Sequence, residues 1–136
     1  MATPFRFRIL QHGEAGSPVR ESFSPAEPRP GWVRLALKAM ALNHLDLWTT
    51  FGLPGFPLPL PLTPGCDGAG TVEAVGEGTV LPPGVVAGGS VMIAPGLSCG
   101  VCPACLRGDD MLCPGYGVLG HVCDGTAATH VLVPAA

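Results

Sequence analysis

The chain has 136 residues, 47 % of them hydrophobic and only 12 % charged, with a formal net charge of −3. That is room for one domain with a genuine core, and it argues against a nucleic-acid binder, because Lys38 is the only lysine and the six arginines are scattered. Twenty glycines and sixteen prolines in so apolar a chain read as the turns of a β-rich fold rather than as disorder.

Phe5 to Gln11 alternates apolar and polar residues, which predicts a half-buried strand, and His12 to Gly16 closes it with a turn. A second strand is expected over Val19 to Phe23. Ser24 to Gly31 carries Pro25, Pro28 and Pro30 and cannot join a central ladder. Trp32 to Ala41 resumes the alternation, with Val33, Leu35 and Leu37 on one face. Asn43, or Asn43 with His44, caps a short helix to about Phe51, ended by Gly52. Leu45, Leu47 and Trp48 give that helix an apolar stripe, so Trp48 and Phe51 are expected to pack it onto the sheets, with an apolar pocket as the other use. The low-charge stretch from Leu47 to Cys66 is broken by five prolines and cannot be a membrane-spanning helix. Further strands are expected over Ala69 to Gly76, Ser90 to Ala94, and Ala127 to Val133, the last stopped by Pro134. Many short strands with Gly/Pro punctuation argue for a barrel or a sandwich. Met1 to Arg6 holds no apolar run of a secretory signal, so the expected compartment is the cytoplasm.

Cys99, Cys102, Cys105 and Cys113 form a C-x2-C-x2-C-x7-C array within one loop. Such spacing brings four sulfurs to a common centre about 2.3 Å away, the geometry of a structural zinc site. With four thiolate ligands no position is left for water or substrate, so the ion holds the loop and does no chemistry. Disulfides would need an oxidising compartment, and the final seven-residue gap fits neither ferredoxin run, so zinc is favoured over both. Four thiolates and one Zn2+ add two negative charges to the formal −3, for which Arg107 and loop N–H groups are the expected compensation.

Asn43-His44-Leu45-Asp46-Leu47-Trp48, Pro64-Gly65-Cys66-Asp67-Gly68-Ala69-Gly70-Thr71-Val72, Val75-Gly76-Glu77-Gly78, the cysteine loop and Val131-Leu132-Val133-Pro134 together resemble the medium-chain dehydrogenase/reductase superfamily. More closely, the chain resembles the GroES-like N-terminal part of a zinc-containing alcohol dehydrogenase or quinone oxidoreductase, over essentially its whole length. The resemblance implies a mainly β fold, a partly open β-barrel with short helices, and a structural-zinc lobe at about 96–117. A Rossmann domain that binds NAD(P) would follow it and is absent from this chain, which is expected to be one domain over 1–136. The intact parent would move a hydride between nicotinamide and a small carbonyl, alcohol or quinone, with Asn43, His44, Asp46, Cys66 and Asp67 facing the cleft. Alone, the piece is expected to be inactive and to self-associate through exposed barrel edges.

Two positions depart from the alcohol dehydrogenase pattern. Asn43 stands where that family has the first catalytic zinc ligand, a cysteine in C-x-x-D, with Asp46 kept. Cys66 and Asp67 replace the histidine and glutamate of its G-H-E segment. Members of the quinone reductase type also carry asparagine there and dispense with the reactive metal. The resemblance therefore favours a metal-free cleft, with Cys66 as a small packing residue, over a catalytic zinc shared by Cys66 with His44, Asp46 or Asp67. Gly88-Gly89-Ser90-Val91 lacks the family's aspartate and Ala127 its usual aromatic, changes expected to loosen the scaffold. The rival reading is a stand-alone zinc-stabilised β module with a binding or assembly role.

Two motif matches are refused on context. Gly115-Tyr116-Gly117-Val118-Leu119-Gly120 fits G-x-G-x-x-G, but neither a preceding strand nor a following helix is expected, so it reads as the turn leaving the lobe. Gly96-Leu97-Ser98-Cys99-Gly100 fits G-x-S-x-G without the strand, turn and helix of a hydrolase elbow. His12 and His130 read as surface or packing residues, His121 as a loop residue and Cys123 as a thiol outside the array. The resemblance gives His44 a cofactor-phosphate or proton-relay place.

Overall fold

The structure is a computed structural model that describes residues 3–13 and 18–135. The expected turn over His12 to Gly16 lies partly outside the described residues. Its chain is mainly β, as the composition requires. Strand β1, Phe5–Arg8, pairs antiparallel with β2, Val19–Ser22. The main sheet has four antiparallel strands in the order β5, β4, β3, β8: Ser90–Met92, Asp67–Val75, Trp32–Ala41 and His130–Pro134. A third, two-residue pair joins β6, Gly96–Leu97, to β7, Gly117–Val118. Helix α1 is His44–Phe51 and α2 is the single turn Pro103–Leu106.

The core grows out of the alternation in β3. Val33 faces Val75 on β4 and Val133 on β8, and Leu35 faces Val72 and Val131, so two apolar rows cross three strands. Val72 and Val75 are three residues apart, which in a regular strand would put them on opposite faces. A register shift between Arg34 and Leu35 leaves Glu73 as the extra residue of a bulge, and both valines turn inward. Leu119 closes the cluster from the chain beyond the lobe.

Several elements are shorter than their sequence patterns. β1 ends at Arg8 because Ile9 leaves the pair and exchanges both backbone hydrogen bonds with Leu62, where both side chains are buried. β8 begins at His130 rather than Ala127, since residues 127–129 pair instead with β1, through Phe7 N to Ala127 O at 2.8 Å and Thr129 N to Phe5 O at 2.8 Å. These bonds stitch the small sheet to the large one, and no closed barrel forms among the described residues.

Helix α1 corrects one expectation. Leu47, Trp48 and Phe51 are each about half exposed, while the buried face carries Asp46 and Thr49. The wall under the helix presents the Gly65 N–H, which needs an acceptor, and Asp46 supplies it. Thr49, three residues on along the same face, is carried inward with it, its hydroxyl donating to the Leu45 carbonyl and meeting His121.

Candidate metal centre and cleft

The chain leaves the core at Pro95 and returns at Leu119, whose N–H donates to Pro95 O at 2.9 Å. Between them the β6–β7 pair forms the stem of a lobe that has almost no core of its own. Ala104 and Cys113 are its buried side chains, whereas Val101, Leu106, Met111 and Leu112 are mostly exposed. Inside it the four cysteine sulfurs all lie within 4.8 Å of one another. Two of the spacings are 3.9 Å, Cys99 to Cys105, and 3.5 Å, Cys102 to Cys105. A tetrahedron with zinc–sulfur arms of about 2.3 Å has edges of about 3.8 Å, so the quartet is already close to the arrangement such an ion takes.

Local sequence explains the convergence. Cys102 is the N-cap of α2, with Pro103 at its first position, so the turn carries Cys105 back beside Cys102. Gly100 takes φ of 71°, a left-handed value suited to glycine, which turns the chain between Cys99 and Cys102. Cys102 N–H donates to Cys99 Sγ at 3.3 Å and Cys99 N–H to Cys113 Sγ at 3.5 Å. N–H groups of Val101 and Cys102, with the Cys113 thiol, hold the Cys99 thiol down to about 6, whereas desolvation, with smaller contributions from the Cys102 and Cys113 thiols, pushes Cys105 up to about 11. The loop N–H groups thus supply the expected compensation. Arg107 does not: its Nε meets Asp109 at 3.3 Å.

The second grouping is built by one buried carboxylate. Asp46 Oδ2 accepts the Asn43 N–H at 2.7 Å, one half of a capping box, and Asp46 Oδ1 accepts the Gly65 N–H at 2.9 Å. The same side chain therefore starts the helix and ties its first turn to the segment 64–67. As a result Asn43 Nδ2 donates to Asp67 Oδ2 at 2.8 Å and to Cys66 Sγ at 3.3 Å. The reverse amide orientation would set oxygen against the Asp67 carboxylate. Burial, followed by the Asp67 and Asp46 charges, pushes the Cys66 thiol up, so it stays protonated at neutral pH.

The structure thus brings Asn43, Asp46, Cys66 and Asp67 together. His44 stands apart: it is exposed on α1, its ring 6.3 Å from that of Trp48. Among the described residues the cysteine quartet forms a metal-ligating cluster, and Cys66 with its neighbours does not.

Sequence reasoning misses the floor of this cleft. Gly65, Gly120 and Gly125 meet backbone to backbone: a Cβ on Gly125 would strike the Gly65 carbonyl oxygen and lie 2.5 Å from Gly120 Cα. Thr49, buried on α1, reaches His121 Nδ1 at 3.3 Å, so His121 belongs to the wall beside the helix. The Asn43 to Asp46 spacing is the signal that could have shown the tie, since a cap followed by an acid three residues on reads as a box.

Comparison with known proteins agrees with this architecture. The family model described as the alcohol dehydrogenase GroES-like domain matches residues 29–136. An alcohol dehydrogenase of Schizosaccharomyces pombe is 34% identical over 116 residues, 85% of this chain and 32% of that protein. A zinc-type alcohol dehydrogenase-like protein of the same yeast is 53% identical over 53 residues, 39% of this chain and 15% of that one. The crystal structure of an NAD-dependent alcohol dehydrogenase superposes with a TM-score of 0.87 at 43% identity, covering 96% of this chain and 37% of its own. The chain spans about a third of the length of the relatives that it matches along most of its own. Its strand order, its four-cysteine lobe and these matches lead to one conclusion: the chain belongs to the alcohol dehydrogenase GroES-like domain family of the medium-chain dehydrogenase/reductase superfamily.

Proposed function

We propose that this chain is the catalytic-domain part, over 1–136, of an NAD(P)-dependent oxidoreductase whose intact form moves a hydride between nicotinamide and a small carbonyl, alcohol or quinone. The observation that carries the reading is the Asp46 tie, which sets Asn43, Cys66 and Asp67 against one another at the family's cleft positions. In the lobe at about 96–117, Cys99, Cys102, Cys105 and Cys113 would hold one Zn2+ that braces the loop and offers substrate no coordination position.

The cleft itself works without a metal in this reading. The Asn43 amide hydrogens occupy the space between the Cys66 sulfur and the Asp67 carboxylate, and a protonated thiol is a poor ligand. Asn43 orients the Asp67 carboxylate, Cys66 fills the floor, and solvent-facing His44 is the group placed to meet a cofactor phosphate or relay a proton. When bound, the nicotinamide supplies the hydride; its own domain is not among these 136 residues, so the chain alone is inactive. The compartment that suits this reading is the cytoplasm, where thiols stay reduced and open to a metal. No helix of the described residues is long and apolar enough to cross a membrane.

Metal analysis and NADPH titration of the purified chain test this. One zinc per chain and no NADPH binding are expected. Two zinc ions would restore a metal to the cleft, no zinc would remove the lobe's role, and stoichiometric NADPH binding would contradict inactivity for want of a cofactor site.

A further inference from the structure

The main sheet has a second face, opposite its core, which meets the cleft floor at Gly125. Val33, Leu35, Val131 and Val133 point into the core, so Arg34, His130 and Leu132 point to the other side. There a cavity of about 250 Å3 is bounded by these three, by Arg6 of β1, and by Phe23 and Trp32. None of Asn43, Cys66 and Asp67 lines it.

Three features of this cavity are those of a binding site. Thr63 lines it and is 1% exposed, yet its Oγ1 has no hydrogen-bond partner among the described residues. A buried hydroxyl left unpaired is costly, and a ligand atom would satisfy it. The two guanidinium groups are oriented in advance. Glu21 at 2.7 Å and Asp124 at 3.5 Å hold Arg6, and Glu73 at 2.7 Å and Glu27 at 2.9 Å hold Arg34. Those ion pairs and hydrogen bonds engage Nε and Nη1 of each and leave Nη2 without a partner among the described residues. Phe23, Trp32 and Leu132 provide flat apolar walls.

Charge then limits what would enter. Arg6, Arg8 and Arg34 stand against Glu21, Glu27, Glu73 and Asp124, so no positive surplus waits for an anion. The volume lies a little below the range of about 300 to 1,000 Å3 of drug-sized sites, which suits a single-ring molecule. We propose that this cavity binds a small uncharged molecule with a flat apolar body and a head that both donates and accepts hydrogen bonds, a primary amide or an alcohol. The head meets the Thr63 hydroxyl and a guanidinium Nη2, and the body lies against Phe23, Trp32 and Leu132.

Trp32 reports on the site directly. The chain has two tryptophans, so a Trp48→Phe background leaves Trp32 as the only tryptophan, excited selectively over Tyr116 at long wavelength. Titration with benzamide is expected to change its fluorescence saturably. Thr63→Val keeps the shape and both backbone bonds of Thr63 while deleting the hydroxyl, and should weaken binding about tenfold without lowering the melting temperature of the ligand-free protein. Ala128→Leu, which adds bulk to the cavity wall, should abolish the change and serves if Thr63→Val fails to fold. The absence of a saturable signal with benzamide, or unaltered affinity in the folded variants, would overturn the site. Benzoate binding more tightly than benzamide would overturn the uncharged class.

Discussion

Asp46 shows how one side chain can decide a site. The residue is 9% exposed, and its carboxylate satisfies two backbone N–H groups, one three residues before it at Asn43 and one nineteen residues after it at Gly65. Removing it strands the buried Gly65 donor and the partly buried Asn43 donor, and an unsatisfied buried group costs about 1 to 3 kcal/mol. Asp46→Ala is therefore expected to destabilise the chain by about 3 kcal/mol in denaturant unfolding. Asp46→Asn, which keeps one acceptor oxygen, should lose less. If Asp46→Ala unfolds like the wild type, the tie is not what assembles Asn43, Cys66 and Asp67.

Among the elements, the lobe is the one expected to depend on a metal, since the sheets have a core of their own. A structural zinc is worth about 10 to 16 kcal/mol in small peptides, and the lobe has only the Ala104 and Cys113 side chains buried to set against that. Chelation is thus expected to melt the lobe, which returns its four thiols to ordinary solvent exposure and makes them reactive to an alkylating agent at neutral pH. Cys66 and Cys123, both raised by burial, should stay slow. Rapid reaction of all six thiols at once would mean that the sheets unfold with the lobe. The lobe and the strands are also the elements most legible in the sequence. Alternation in β3 marks Val33 and Leu35, and the cysteine spacing marks the quartet, because both are local patterns. Less legible are the features that satisfy distant backbone groups. The apolar residues of α1 suggest that Leu47, Trp48 and Phe51 face inward, but the acceptor needed by Gly65 turns Asp46 and Thr49 inward instead. The bulge at Glu73 is hidden for the same reason, since it is set by the partner strand.

For the molecule as a whole, the charge cluster on the outer sheet face governs acid stability. Arg34, joined by His130, holds the Glu73 carboxyl below the usual range. A carboxyl depressed in the folded state adds stability that is present above its unfolded value, about 4.3, and is lost as pH falls through the folded value. The melting temperature should accordingly drop on acidification. Glu73→Gln should melt lower than the wild type at pH 7, with the gap closing toward pH 3. A gap that stays constant with pH would show that the ion pairs do not contribute. A different consequence follows from the β6–β7 stem. Strands in a ladder lie about 4.8 Å apart, so the insertion departs from and rejoins the scaffold at nearly one point. A short hairpin turn could replace everything between Leu97 and Gly117, making the metal lobe a cassette that a lineage can gain or discard without altering the rest of the architecture.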